Sequence, residues 1–191
     1  PMAPHSTSDT LGLSLTVNKD DSTALGAAGV NIYPQGKTFS GNYAVRFDMY
    51  LMVGNAASTT EYALFGINHS GTKANWFRNS AGGVPNNPAF DGLFFGVEAD
   101  GAALGDYVIY SAPTTAGNNP TALTPGVNAS TLTGTFKNPP FGGGLPGAPG
   151  NSELSETPCW VEVEISQVGN VVTLTMNRTP ILSYTNTTPF T

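Results

Sequence analysis

The sequence predicts an all-β protein in which two antiparallel sheets pack as a sandwich. Apolar residues recur at every second position in several short segments, which is the period of a strand with one buried face. The 191 residues include 23 glycines and 15 prolines, which separate these segments with turns. No segment has the period of a convincing helix or of a heptad repeat. Many short strands joined by turns are typical of two packed sheets.

The stretch from Trp160 to Tyr184 carries the clearest strand pattern. Val163 and Ile165 alternate with acidic and polar residues, which places the apolar side chains on one face of a strand. Gly169 and Asn170 follow and tolerate the positive φ angles that a tight hairpin turn needs. The chain then returns as a strand rich in valine and threonine, turns again and begins a third short strand. This stretch therefore predicts three consecutive strands.

Earlier segments show the same alternation. In the segment 39–53, Phe47 and Leu51 are predicted to face the core, while Arg46 and Asp48 lie on a half-solvated face. The other strands predicted before residue 160 are, in chain order, 11–17, 61–68, 92–98 and 107–111. Together with the last three strands, they are enough for two sheets.

The chain is predicted to be a single domain, 1–191, because its length suits one core of ordinary size. Residues 1–10 are expected to form a loose arm. Residues 112–156 are the longest irregular region, with two prolines and a run of three glycines near the centre. A loop of this length inside a compact domain is usually functional or mobile, and a linker between two domains is the alternative.

The composition limits the classes of molecule that the protein is expected to bind. The net charge is −6, the sequence pI is about 4.6 and there is no basic patch, so nucleic acid is not an expected partner. No apolar run approaches the roughly 18 residues of a membrane helix, so membrane insertion is not expected. Only 10% of residues are charged, and the hydroxyl- and amide-rich remainder suits a secreted or cell-surface protein. The lone Cys159 excludes an internal disulfide and is expected to be a half-buried strand residue.

A tryptophan and an acidic strand precede the Gly-Asn turn, and the next strand ends in asparagine. The residues of this pattern are Trp160, Glu162, Glu164, Ile165, Gly169, Asn170, Leu174 and Asn177. The pattern resembles the late strands of the concanavalin A-like (laminin G-like) lectin/glucanase superfamily, and the segments 39–51 and 61–67 look like its early strands. The resemblance implies a jelly-roll sandwich. It also implies an extracellular, non-catalytic carbohydrate-binding or adhesion module, which could be part of a larger surface protein.

One feature departs from that superfamily. There a further strand usually closes the sheet after the segment that matches 160–184, whereas this chain ends at Thr191. Either the sequence is truncated, or the topology differs, or a sheet edge is left open. An open edge invites pairing with a strand of another molecule. A homo-oligomer formed through this edge is therefore a hypothesis. A structural or self-assembling surface protein is accordingly an alternative function, and the low charge and the long Gly/Pro-rich loop suit it.

Carbohydrate binding needs an aromatic face that stacks on a sugar ring and polar groups that bond its hydroxyls. The polar loop 70–91 brings such residues together, and they are the predicted ligand-binding residues: Asn75, Trp76, Phe77, Arg78 and Asn79. A tryptophan within a loop rich in glycine and asparagine is not expected to lie deep in a core. Loop aromatics also act as lids over the end of a sandwich, which is the structural alternative for Trp76.

An enzyme of the same fold, a glycoside hydrolase or polysaccharide lyase, is the second alternative. Laminarinase-type members of the superfamily carry Glu-x-Asp-x-x-Glu on one strand, and the acids lie in the cleft. Glu162 matches the first position, but Glu164 stands in place of the aspartate and Gln167 replaces the last acid. The favoured explanation of the two glutamates is that they are solvated residues of an outer face. The two histidines, His5 and His69, suggest no catalytic triad, and His69 is expected to be a surface loop residue.

Calcium is the one cofactor that the resemblance suggests, since lectin-like sandwiches often bind it through loop oxygens. Asn18, Asp20 and Asp21 form one candidate turn, and a second contains Asp100 and Asp106. Aspartate in turns is also common for backbone reasons. The sequence further contains four Asn-x-Ser/Thr triplets, which begin at Asn68, Asn128, Asn177 and Asn186.

Overall fold

The computed structural model describes residues 5, 12–15, 30–51, 62–72, 91–98, 107–111, 121–125 and 159–187. These residues form eight β-strands: β1 Tyr43–Leu51, β2 Tyr62–Ile67, β3 Leu93–Glu98, β4 Tyr107–Ser111, β5 Thr121–Ala122, β6 Cys159–Val168, β7 Val171–Met176 and β8 Thr179–Thr185. Within these ranges no helix is long and apolar enough to cross a membrane.

The strands form two sheets of four strands each. Sheet A has the order β1-β6-β7-β8, and sheet B has the order β2-β3-β4-β5. Every neighbouring pair is antiparallel. The prediction of an all-β chain with two antiparallel sheets is therefore confirmed for the part of the chain that the structure describes.

The predicted three-strand stretch is the meander β6-β7-β8. Val163 lies opposite Met176, and Ile165 lies opposite Leu174. Gly169 has a φ of +58° in the first turn, as its place in a tight hairpin requires. The second turn is shorter than expected, because Asn177 and Arg178 both adopt left-handed backbone angles and β8 begins directly after them.

A register shift in the β7–β8 pair explains why two successive residues of β8 are buried. Leu174 lies opposite Leu182, but Thr175 lies opposite Pro180, so Ile181 is an extra residue in β8. A β-bulge of this kind bends the strand and re-aims its side chains. Both Ile181 and Leu182 consequently reach the core. Pro180 is tolerated because β8 is at the edge of sheet A among the described strands, and proline is accepted on edge strands, which pair on one side only.

The core is formed where the inner faces of both sheets meet. Its buried residues are Ile67, Leu93, Phe95, Val97, Tyr107, Ile109, Val161, Val163, Ile165, Val172, Leu174, Met176, Ile181 and Leu182. Phe65 of sheet B makes an edge-on contact with Phe47 of sheet A, with ring centroids 5.5 Å apart. Val163 and Ile165 are thus buried as predicted, and Phe47 packs against the core. The side chain of Leu51 lies outside the described residues.

The second face of sheet B is apolar as well. Phe94 and Val108 alternate with core residues and therefore point away from sheet A, yet both are buried. Phe94 stacks on Tyr110, its partner across β3 and β4, with ring centroids 5.6 Å apart. Gly66 lies opposite Phe94, and a Cβ there would lie 2.8 Å from that of Phe94. A continuous apolar run is what burial on both faces of a strand requires.

The predicted first strand is wrong for the residues that can be assessed. Residues 12–15 have no strand pairing, and Leu13 and Leu15 are exposed. Alternation gives a segment the capacity to cover a core, but pairing also needs a free strand edge in the right place. The second predicted strand starts later than expected, at Tyr43, because Gly41 has a φ of +74° and precedes the regular extended backbone.

Two adjacent valines on β7 test the assignment of faces. Val172 is 0% exposed, whereas Val171 is 38% exposed. We expect Val172→Ala to lower the free energy of unfolding by about 2 kcal/mol, because it removes two buried methyl groups and leaves a cavity. Val171→Ala is the matched control and is expected to cost less than about 1 kcal/mol. Urea unfolding followed by circular dichroism measures both, and equal losses would contradict the assignment.

Candidate functional site

The base of the polar loop 70–91 is closed by a set of hydrogen bonds, which we call the loop clasp (His69, Ser70 and Asp91). The Nε2 of His69 lies 3.0 Å from Oδ1 of Asp91, and the backbone N–H of Ser70 donates to the same oxygen at 3.3 Å. The N–H of Gly71 donates to Nδ1 of His69 at 2.8 Å. Because Nδ1 accepts, the ring proton lies on Nε2 and is donated to Asp91.

The backbone around the clasp is tightly packed. Gly92 has a φ of +75°, and a Cβ at this position would lie 2.7 Å from the carbonyl oxygen of Ile67. Glycine therefore lets the chain return beside the end of β2 immediately after Asp91. The ring of Tyr33 covers the other side, with its centroid 5.3 Å from that of His69. Both His69 and Asp91 are largely shielded, at 19% and 21% side-chain exposure.

The predicted sugar-binding residues belong to the segment that this clasp brackets. Asn75, Trp76, Phe77, Arg78 and Asn79 lie outside the described residues. The described residues stop at Thr72 and resume at Asp91. The hydroxyls of Ser70 and Thr72 lie 2.9 Å apart at the start of the segment, and both residues are exposed.

A chain of hydrogen bonds next to the clasp joins the two sheets, and we call it the amide bridge (Tyr43, Asn68 and Gln167). The Tyr43 hydroxyl on β1 donates to Oδ1 of Asn68 at 2.9 Å, directly after β2. The Nδ2 of Asn68 donates to Oε1 of Gln167 on β6, also at 2.9 Å. Gln167 in turn donates to the carbonyl of Gly41 at 3.2 Å. Asn68 adopts the left-handed φ of +62° that aims its amide between the sheets.

The two candidate catalytic acids, Glu162 and Glu164, share the outer face of sheet A. Glu164 forms an ion pair with Arg46, its neighbour across β1 and β6. Glu162 lies opposite Asp48, and its Oε2 lies 3.5 Å from Nε2 of His5. Each glutamate thus already faces a basic side chain of this protein.

Gln167 cannot stand in for the missing third acid of the glucanase pattern. Residues 162, 164 and 167 cannot all share one face of a regular strand, because side chains alternate. Gln167 is committed to the amide bridge between the sheets instead. The described geometry therefore provides an acid pair on the outer face without a third acid on the same strand.

The calcium prediction has no geometric test. Asn18, Asp20, Asp21, Asp100 and Asp106 lie outside the described residues. Within the described ranges, no group of three or more His, Cys, Asp or Glu residues is placed to hold a metal ion. Cys159 is the first residue of β6 and pairs with Leu51 through the backbone, and its side chain is outside the described set.

Three of the four Asn-x-Ser/Thr triplets begin with an asparagine that has a structural role. Asn68 belongs to the amide bridge. Asn177 accepts a hydrogen bond from the Glu162 N–H at 2.9 Å, and its own Nδ2 is buried. Asn186 is buried, and its N–H donates to the Asn170 carbonyl at 2.8 Å. In the folded protein these amides are not open to glycan attachment. Asn128 lies outside the described residues.

Two histidine roles were missed by sequence reasoning. His69 is part of the loop clasp, although its position beside a turn suggested a surface residue. His5 lies against the outer face of sheet A. The contacts of both histidines join residues far apart in the chain, so no local sequence spacing predicts them. The Asp91-Gly92 pair directly before β3 is the nearest sequence signal, since it marks a constrained return into the sheet.

Removing one hydroxyl tests the amide bridge. Tyr43→Phe deletes the group that donates to Asn68 and should lower the free energy of unfolding at neutral pH by about 1 kcal/mol. Burial raises the pKa of the Tyr43 phenol above its ordinary value of 10.0, and a hydrogen bond with the backbone of Asn68 opposes the rise. The unfolded chain then loses this proton first. The contribution is present below about pH 10 and is lost as the pH rises through the folded-state pKa.

Urea unfolding between pH 8 and pH 11 measures this effect. Wild type should lose more stability than Tyr43→Phe above pH 10, since both proteins share the other tyrosines. Parallel loss in the two proteins would show that the Tyr43 hydroxyl is not held in the bridge.

Comparison with known proteins gives no relative from which a role could be transferred. No family model matches the chain, and no curated protein or solved structure is significantly similar to it. The contacts of the loop clasp, the amide bridge and the outer face of sheet A are therefore the basis for assigning a function.

Proposed function

We propose that this chain is an extracellular, non-catalytic carbohydrate-binding or adhesion module built on a jelly-roll sandwich of the concanavalin A-like type. Its ligand site is the segment 73–90, with Trp76 as the stacking ring. The observation that carries the proposal is the loop clasp. It ties the two ends of this segment to the end of the sandwich.

The clasp favours recognition because it pins the ends of a long insertion to a rigid scaffold. Ser70 and Asp91 are 21 residues apart in sequence and are joined by a hydrogen bond. Closing a loop of this length costs conformational entropy, which the clasp and the packed sheets offset. Binding residues are commonly carried by loops that a rigid scaffold positions.

The chemistry of the bracketed segment suits a neutral glycan. Trp76 and Phe77 provide faces for the apolar side of a pyranose, and Asn75 and Asn79 provide amides that both donate and accept hydrogen bonds. A neutral ligand also agrees with a chain in which only 10% of residues are charged.

The geometry supports the enzyme alternative less well than it supports the carbohydrate-binding proposal. Glu164 is paired with Arg46, and Glu162 lies next to His5 and Asp48. A glycosidase needs one carboxyl that donates a proton and a second that acts as base or nucleophile. Cross-strand pairing of Glu164 with a guanidinium is typical of a structural ion pair on a solvated face.

The two tryptophans allow a matched test of the site. Wild type is first screened on a glycan array, and the best ligand is then titrated by calorimetry. We expect Trp76→Phe to abolish any ligand-induced change in tryptophan fluorescence and Trp160→Phe to preserve it. Trp76→Ala should weaken binding at least about tenfold, since buried tryptophans are frequent binding hot spots. An array without any ligand, or unchanged binding by Trp76→Ala, would refute the proposal.

The clasp itself makes a separate prediction. Asp91→Ala removes the acceptor of the two hydrogen bonds from His69 and Ser70, so the loop ends are less constrained. We expect about a threefold to tenfold loss of affinity from poorer preorganisation, with unfolding that stays cooperative. Thr72→Ala leaves the bonds of Asp91 intact and serves as the control. Calorimetry gives the affinities, and an Asp91→Ala protein that binds like Thr72→Ala would exclude a positioning role.

A further inference from the structure

Phe39 is an exposed aromatic residue at the end of the sandwich that carries the loop clasp. Its ring stacks on that of Tyr43, with ring centroids 6.0 Å apart and 30° between the ring planes. Phe39 is nevertheless 57% exposed. The contact with Tyr43 therefore covers one side of the ring and leaves the other side open to water.

Two contacts place Phe39 beside the loop clasp. The Tyr43 hydroxyl donates to Asn68, the residue directly before His69. Tyr33, which precedes Phe39 in the same segment, lies against the His69 ring itself. The segment between the two tyrosines thus contacts the clasp at its start and the amide bridge at its end, and it carries Phe39 between them.

The backbone on both sides of Phe39 is turned and held in place. Gly36 and Gly41 have φ angles of +63° and +74°, a region that glycine adopts without strain. Gln167 donates to the carbonyl of Gly41 at 3.2 Å, which ties the chain after Phe39 to β6. Among the described residues, a Cβ on either glycine would meet no other heavy atom within 4 Å, so neither turn crowds the ring.

The residues next to the ring suit an uncharged ligand that is rich in hydroxyls. Thr38 and Ser40 flank Phe39 and are exposed, and a hydroxyl side chain both donates and accepts hydrogen bonds. Lys37 is the one charged residue in the segment 34–43. A pyranose combines an apolar face, which stacks on an aromatic ring, with hydroxyls at its edge. An open ring between two hydroxyl side chains matches both features.

We propose that Phe39 is a second stacking ring for the glycan, and that the ligand is an extended polysaccharide chain rather than a single terminal sugar. The inference rests on the proposed function, in which Trp76 is the first stacking ring. One sugar of the chain contacts the loop, and another sugar of the same chain stacks on Phe39. Because one molecule makes both contacts, the second contact adds affinity without a separate binding event.

The length of the glycan gives the test. Wild type and variants are titrated by calorimetry with cellohexaose, laminarihexaose, mannohexaose and galactohexaose, and with the disaccharide of each series. We expect wild type to bind one hexasaccharide at least about tenfold more tightly than its disaccharide. Phe39→Leu keeps an apolar side chain on Tyr43 but removes the flat face, so it should weaken hexasaccharide binding about threefold to tenfold. Its affinity for the disaccharide should equal that of wild type, whereas a general loss of structure would lower both affinities.

Two variants serve as controls. Phe39→Tyr keeps the ring face and should bind the hexasaccharide like wild type. Ile32→Ala truncates an apolar residue of the same segment that is 52% exposed but not aromatic, and it should leave both affinities unchanged. Urea unfolding checks that every variant is folded and unfolds cooperatively.

The contradicting outcomes separate this inference from the loop site. Equal affinity of wild type for both glycan lengths, or hexasaccharide binding by Phe39→Leu that equals wild type, would overturn the second stacking ring. If Trp76→Ala weakens binding in that case, the loop site stands without it. Wild type that binds none of these glycans would also overturn the second ring, and the glycan array then decides the loop site alone.

Discussion

The contact between the two sheets through their aromatic and aliphatic inner faces is the constraint on which the rest of the structure depends. Phe65 lies between Phe47 of sheet A and Phe95 of its own sheet, with ring centroids 5.5 and 6.2 Å away. A sheet with one apolar face is stable only when that face is covered. The amide bridge then joins sheets whose separation the core has already set.

Strand identity and facing were predictable because burial in a sheet has a period of two. Val163 and Ile165 were assigned to the core from alternation alone, and they are buried. The same reasoning failed at Leu13 and Leu15, which alternate equally well but are exposed. Alternation reports only whether a segment could cover a core. Whether a partner strand is available depends on the whole topology, which is a property of distant segments.

The side-chain contacts at the candidate site could not be predicted from the local sequence, for a related reason. Glu162 and Glu164 were expected to share a face, and the alternation of β6 makes them do so. Their partners follow from the register between β1 and β6, which brings Arg46 to Glu164 across 118 residues. The His69–Asp91 contact likewise depends on where the chain returns at Gly92. The sequence shows the residue types at the site, but it does not show which charged side chains each residue contacts in the fold.

The two sheets are joined at the end of the core by side-chain amides. A chain with few charges can therefore connect its sheets there without an ion pair. An ion pair in place of Asn68 and Gln167 would pay a large desolvation penalty in this half-buried position. Amides donate and accept together, so Asn68 satisfies Tyr43 and Gln167 at once. Asparagine also tolerates the left-handed backbone that Asn68 and Asn177 adopt. The ion pairs among the described residues accordingly lie in the loop clasp and on the outer face of sheet A, away from the amide bridge.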